Sequence, residues 1–181
     1  MRLVLCRHAE AGNVAQADIL AHALAGHRLA AVYTSPLERA VETAQRIAAA
    51  PIVVGDVREI ELGAVAGLQF EEYPEDLQAA LLTSPGSVAF PGGESYEQLR
   101  VRVVAALEQI VERHPDESVA VVSHAGAIRA ALATWLGVAP DASFRLDQSF
   151  AALNVIDWTD GVPFVRLVNG ATMPAALGAV L

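Results

Sequence analysis

Lysine is absent from all 181 residues, so arginine supplies all 12 basic side chains. That absence excludes a Schiff-base lysine, a pyridoxal-phosphate anchor and a Walker-type G-K-[ST] phosphate loop. Cysteine occurs once, at Cys6, which excludes an intramolecular disulfide and any cysteine-based zinc cluster; the fold must hold without covalent staples. Positive charge is scarce. With 21 acidic residues the formal net charge is -9, and the basic surface needed for general nucleic-acid binding is missing. Hydrophobic residues make up 54% of the chain, yet no apolar run approaches the length that crosses a bilayer, and Arg7 interrupts the N-terminal one at once. There is no internal repeat and no low-complexity linker. These features read as a soluble, unprocessed, cytoplasmic protein, with one core and a single domain over residues 1–181.

Short apolar runs alternate with longer helical patterns, the signature of an α/β fold with a mostly parallel central sheet flanked by helices in three layers. Leu3 to Cys6, Ala31 to Tyr33, Ile52 to Val54 and Val119 to Val122 are expected strands. Gln16 to Ala25 and Pro36 to Ala50 are expected helices; Ser35 is positioned to cap the second and Pro36 suits its first turn. Residues 62–93, rich in acidic, Gly and Pro residues, are the expected insertion or lid. A long helix over Tyr96 to Arg113 and another over Ala127 to Leu136, stopped by Gly137, follow. Ala151 to Asp157 and Pro163 to Val168, separated by Thr159-Asp160-Gly161, predict an antiparallel C-terminal hairpin. The tail from Ala171 to Leu181 carries no clear signal.

Ligands in parallel α/β sheets bind beyond the carboxyl ends of the strands, so the residues following each strand are informative. The first strand delivers Arg7 and His8, followed by Glu10 and Asn13. The second runs into T-S-P-L-E-R, which puts Arg39 in the first turn of a helix. Val119 to Val122 delivers Ser123-His124-Ala125-Gly126. Two imidazoles and two guanidiniums thus converge on one sheet edge beside two helix N-termini, a set suited to a phosphate group with an imidazole as nucleophile. Taken singly, each residue has a plainer reading: Arg39 as a solvated helix residue paired with Glu42, and His8 or His124 as a hydrogen-bonded structural histidine. Three strand ends acquiring the right residue types together favours the site.

The blocks R-H-A-E-A, Y-T-S-P-L-E-R-A-V-E-T-A, R-E-I-E-L-G-A-V-A-G-L, P-G-G-E-S and V-S-H-A-G-A-I-R occur in the order found in the histidine phosphatase superfamily, the phosphoglycerate-mutase-like fold, which the chain resembles from Leu3 to Arg129. The P-G-G-E-S block and the short length resemble its alpha-ribazole phosphatase-like members. The resemblance implies His8 as the nucleophile that becomes phosphohistidine, Arg7, Arg39 and His124 as the phosphate pocket, and Glu59 as proton donor, with Glu61 on the same side of an extended segment as the alternative. Asn13 resembles the asparagine that closes the N-terminal motif, one place early, and is the implied further substrate contact. Ala9 stands where the family has glycine and Ala11 where it has Thr or Ser, and the stretch after Asn13 is short.

The implied reaction is phosphomonoester hydrolysis: His8 attacks phosphorus in line, Glu59 releases the alcohol and then activates water. The alternatives are a phosphoglycerate-mutase-type phosphoryl transfer and a non-catalytic phosphate-binding module. A cysteine phosphatase is excluded because Cys-x5-Arg fails at Gly12. His22, His27 and His114 read as scattered surface or helix-end residues, so no metal and no cofactor are expected. The expected partner is a small phosphorylated substrate, without nucleic acid or membrane; a homodimer is left open.

Overall fold

The structure, a computed structural model, describes residues 1–174; the end of the tail that carries no sequence signal lies outside them. It is an α/β sandwich of three layers. Its sheet is built from β1 (Arg2–Arg7), β2 (Ala31–Thr34), β3 (Ile52–Val53), β4 (Ser118–Ser123), β5 (Leu153–Thr159) and β6 (Val162–Gly170) in the order β3-β2-β4-β1-β5-β6. The pairs β3/β2, β2/β4 and β4/β1 are parallel, while β1/β5 and β5/β6 are antiparallel.

Why β1 is a continuous apolar run follows from its place in the middle of the sheet, with both faces covered. Leu3 and Leu5 point into one core with the helices α4 (Tyr96–Arg113) and α5 (Ala125–Leu136). Val4 and Cys6 point into the other with α1 (Val14–Leu24) and α2 (Glu38–Ile47). All four strand residues are fully buried. In β4, Val119 and Val121 join the first core, and Ala120 and Val122 the second. Truncating one of these, such as Leu5→Ala, is expected to cost about 2–5 kcal/mol.

Residues 62–93 form an ordered layer. Short 3-10 turns and α3 (Glu75–Thr83) close around a small core of Val65, Leu77 and Val88. Gly63, with φ of 53°, and Gly93 have no room for a β-carbon because the backbones of 61–63 and 91–93 press together. The P-G-G-E-S block therefore marks a close backbone approach. It leads into α4, whose start is a capping box between Ser95 and Gln98.

Several expected boundaries shift. The first helix starts at Val14, two residues before the expected start, because Asn13 caps it with its side-chain oxygen on the Gln16 N–H at 3.1 Å. The second runs Glu38–Ile47, inside the expected 36–50, with Leu37 at the N-cap position. Ser35 is not the N-cap. Its hydroxyl accepts the Leu37 N–H, but its other contact is His124. The last helix before the hairpin, α6 (Pro140–Ser143), is a single turn. The final hairpin turns at Asp160 and Gly161, both with positive φ, as a tight two-residue turn requires; its first strand starts at Leu153, after Ala151 with φ of 57°.

Candidate active site

Sheet register brings the strand ends together. Arg7 lies opposite Ser123 and Thr34 opposite Val122, so the next residues, His8, His124 and Ser35, meet at the carboxyl edge of the parallel strands. The His8 N–H donates to the Ser123 carbonyl at 3.0 Å, and its carbonyl accepts from the Ala151 N–H at 3.2 Å. The two imidazole centroids lie 4.9 Å apart. His8 Nδ1 is 2.6 Å from the Ala9 carbonyl oxygen. A carbonyl can only accept, so the ring proton belongs to Nδ1 and Nε2 keeps its lone pair. Arg39 Nε donates to that Nε2 at 3.1 Å, so Arg39 faces His8 rather than pairing with Glu42. Burial pushes the His8 imidazolium down to about 4, with Arg39 and Arg7 acting in the same direction. His124 is pushed down to about 3 by burial, then by His8 and Arg39.

Arg7 donates through Nη1 to the Gln148 carbonyl and stacks on Phe150, 3.8 Å from its ring centroid. The same ring lies 5.6 Å from His8. Gln148 is held by a paired amide contact with Asn154 on β5, at 2.8 and 2.9 Å. Arg7 Nε and His124 Nδ1 are buried and have no hydrogen-bond partner among the described residues. Buried polar groups of this kind are costly unless a ligand uses them.

The two candidate acids separate. The Glu59 carboxylate accepts from the Gly126 N–H, in the first turn of α5, and from the Ile60 N–H, both at 3.0 Å. Glu61 turns outward onto Arg58 at 2.9 Å, so the extended-segment alternation that paired the two glutamates does not hold. Ser123 Oγ donates to the Val57 carbonyl at 2.6 Å and ties this segment to β4. Arg102 on α4 donates to the carbonyls of Asp56, Arg58 and Glu59 and pairs with Glu94 at 2.6 Å. Asn13, with its side-chain oxygen committed to capping α1, lines a cleft of about 300 Å³ that runs from Ala9 and Arg39 along α2 to Glu42 and Arg46.

Comparison with known proteins gives this arrangement a family. Residues 9–170 match the model of the histidine phosphatase superfamily (branch 1). The chain belongs to that superfamily. Over 112 residues, 57% of the chain and 47% of the relative, it is 40% identical to a metal-independent phosphoserine phosphatase of Arabidopsis thaliana. It is 38% identical to phosphoserine phosphatase 1 of Hydrogenobacter thermophilus over 131 residues, 68% of the chain and 62% of the relative. The matches thus span about half to three fifths of these curated relatives. A putative alpha-ribazole-5'-P phosphatase from Escherichia coli superposes with a TM-score of 0.85 over 97% of the chain and 98% of its own, at 22% identity, a likeness of fold.

Within this histidine phosphatase fold, several side chains around the site had no part in the site expected from the sequence, Ser35 being expected only as a helix cap. Ser35 and Thr43 stand inside the T-S-P-L-E-R-A-V-E-T-A block. Thr43 Oγ1 donates to the Arg39 carbonyl at 2.7 Å and accepts from the Ala9 N–H at 3.0 Å, joining α2 to the turn after His8. Glu94 stands inside P-G-G-E-S. Arg102 and Phe150 have no local signal, because the carbonyls of Asp56, Arg58 and Glu59 and the Arg7 guanidinium that they contact lie far away in the chain. Among the described residues no helix is long and apolar enough to cross a membrane, and no group of three or more His, Cys, Asp and Glu side chains could hold a metal ion.

Proposed function

We propose that this chain hydrolyses phosphomonoesters through a phosphohistidine on His8. One observation carries the reading: a buried neutral imidazole whose Nε2 lone pair accepts, among the described residues, only the Arg39 N–H, beside a second imidazole and Arg7, so that a phosphoryl oxygen taking over that N–H frees the lone pair to attack. Nε2 attacks phosphorus as the bond to the leaving oxygen breaks, and Glu59 gives that oxygen its proton. Water then attacks the phosphohistidine, Glu59 takes the water's proton, and inorganic phosphate leaves with His8 restored. Arg7, Arg39 and His124 bind the phosphoryl oxygens and stabilise their charge in the transition state; a donor of this kind contributes about 10²- to 10³-fold in rate. The names of the relatives, phosphoserine phosphatases in both cases, make phosphoserine the first substrate to assay, within a class of small phosphorylated metabolites.

The test is a panel of phosphomonoesters with wild type and His8→Ala, with an acid-labile phosphoenzyme trapped from wild type. Turnover surviving in His8→Ala overturns the mechanism. Incubation with 3-phosphoglycerate and a bisphosphoglycerate primer separates the mutase reading: isomer formation outrunning phosphate release favours transfer over hydrolysis. A fold that binds phosphate and releases no product from any ester is the binding module.

A further inference from the structure

Ser35 is fully buried, and each of its polar groups is committed. Its N–H donates to the Val122 carbonyl at 3.0 Å, and its carbonyl accepts from Thr34 Oγ1 at 3.1 Å. Its hydroxyl oxygen accepts the Leu37 N–H at 3.2 Å and lies 2.7 Å from His124 Nε2. A serine hydroxyl has one proton to give. The only acceptor within reach among the described residues is that Nε2. If Nε2 carried the imidazole proton, the hydroxyl proton would be buried with no acceptor, at a cost comparable to a lost hydrogen bond.

We propose that Ser35 is a positioning residue that holds His124 as the Nδ1–H tautomer, so that the buried Nδ1, without a partner among the described residues, is the hydrogen-bond donor for a phosphoryl oxygen. The orphaned Nδ1 is the second observation that points the same way: in this tautomer the atom without a partner is an N–H, which an anion satisfies. In the other tautomer a lone pair would meet phosphoryl oxygens and repel them. His8 and His124 then share the Nδ1–H form for opposite uses. In His8 the Nδ1 proton is spent on the Ala9 carbonyl so that Nε2 can attack, whereas in His124 Nε2 is spent on Ser35 so that Nδ1 can donate. The use of the donor rests on the phosphatase reading; the tautomer itself does not.

The experiment is long-range ¹H–¹⁵N correlation of the imidazoles in the full ¹⁵N-labelled chain near neutral pH, with His124→Gln to assign the signals. Wild type should show His124 with protonated Nδ1 and bare Nε2. Ser35→Ala should move the proton at least partly to Nε2, weaken inorganic phosphate binding by about tenfold or more, and lower kcat/KM by about 10²-fold, the loss expected for one oxyanion donor. Ser35→Thr, which restores the hydroxyl, should recover the spectrum. A protonated Nε2 in wild type overturns the proposal whatever the variants do, as does a Ser35→Ala spectrum and phosphate affinity equal to wild type. The spectrum and the phosphate titration are read without turnover, so failure of the phosphatase reading is seen separately in the ester assay.

Discussion

Glu59 and Gly126 fit one another so closely that a β-carbon on Gly126 would collide with Glu59 Oε1, while the Gly126 N–H holds the other carboxylate oxygen at 3.0 Å. The glycine lies in the first turn of α5, where bare N–H groups and the helix dipole favour an anion. The missing side chain is thus what lets the candidate acid reach the helix end.

The first prediction concerns this pair. In Gly126→Ala the obstacle is the tip of a flexible side chain, so the fold should survive and the carboxylate should shift. Hydrolysis of alkyl phosphates, whose leaving oxygen needs a proton, should fall by about 10- to 10²-fold, while aryl phosphates should lose much less, because general acid help is worth about 10²- to 10⁴-fold only where it is needed. The ratio of the two rates is the measurement; an unchanged ratio removes Glu59 from the acid role.

Acid should destabilise the protein through its two buried histidines. The unfolded chain takes up protons on both near pH 6.5, whereas the folded chain holds His8 neutral to about 4 and His124 to about 3, chiefly by burial. Between those limits the unfolded state binds more protons, so stability is fully present above the unfolded value and falls as pH drops through the window. Urea titrations at steps from pH 7 to pH 4 should show the decline, and His8→Ala should make it shallower. An equal decline in that variant would show that other groups govern it.

Arg102 should matter for catalysis without touching substrate. It pins the carbonyls of Asp56, Arg58 and Glu59, with Glu94 holding its other side; the Arg102 guanidinium beside Glu94 holds that carboxyl below its ordinary range. Arg102→Gln should cost about 1.5–3 kcal/mol, the worth of charged hydrogen bonds, and should reproduce the alkyl-over-aryl loss of Gly126→Ala in milder form. Denaturation midpoints and the same two substrate classes test both halves.

Activity should survive chelation. The site already has two arginines to neutralise phosphate charge, and among the described residues no group of three or more His, Cys, Asp and Glu side chains stands together to hold a metal ion. Activity that collapses in EDTA and returns with a divalent ion would reassign the chemistry.

Much was written locally. The continuous apolar runs of β1 and β4, the start of the long helix at Tyr96, the Gly137 stop and the turn at Asp160-Gly161 depend on neighbours within a few residues, so pattern and turn chemistry reveal them. The convergence of Arg7, His8, Arg39 and His124 was legible too, because a parallel sheet sends every strand end to one edge.

Only the tertiary structure decided which atoms face which. That the Glu59 carboxylate reaches the N-terminus of α5 while Glu61 turns to Arg58 does not follow from alternation, since the segment is held by Arg102 and Ser123 rather than by strand pairing. Ser35 reads as a helix cap from its neighbours, yet its hydroxyl is directed to His124, 89 residues away; Arg7 finds Gln148 and Phe150 across 141 and 143 positions. A side chain's propensity is set by its local backbone, but the partner of a buried hydrogen bond is set by whichever strand the sheet places beside it. The sequence by itself determined that imidazoles and guanidiniums would meet at this edge. The packed structure determined which groups touch: the Glu59 carboxylate on the Gly126 N–H, Ser35 on His124, and Arg102 across the carbonyls of Asp56, Arg58 and Glu59.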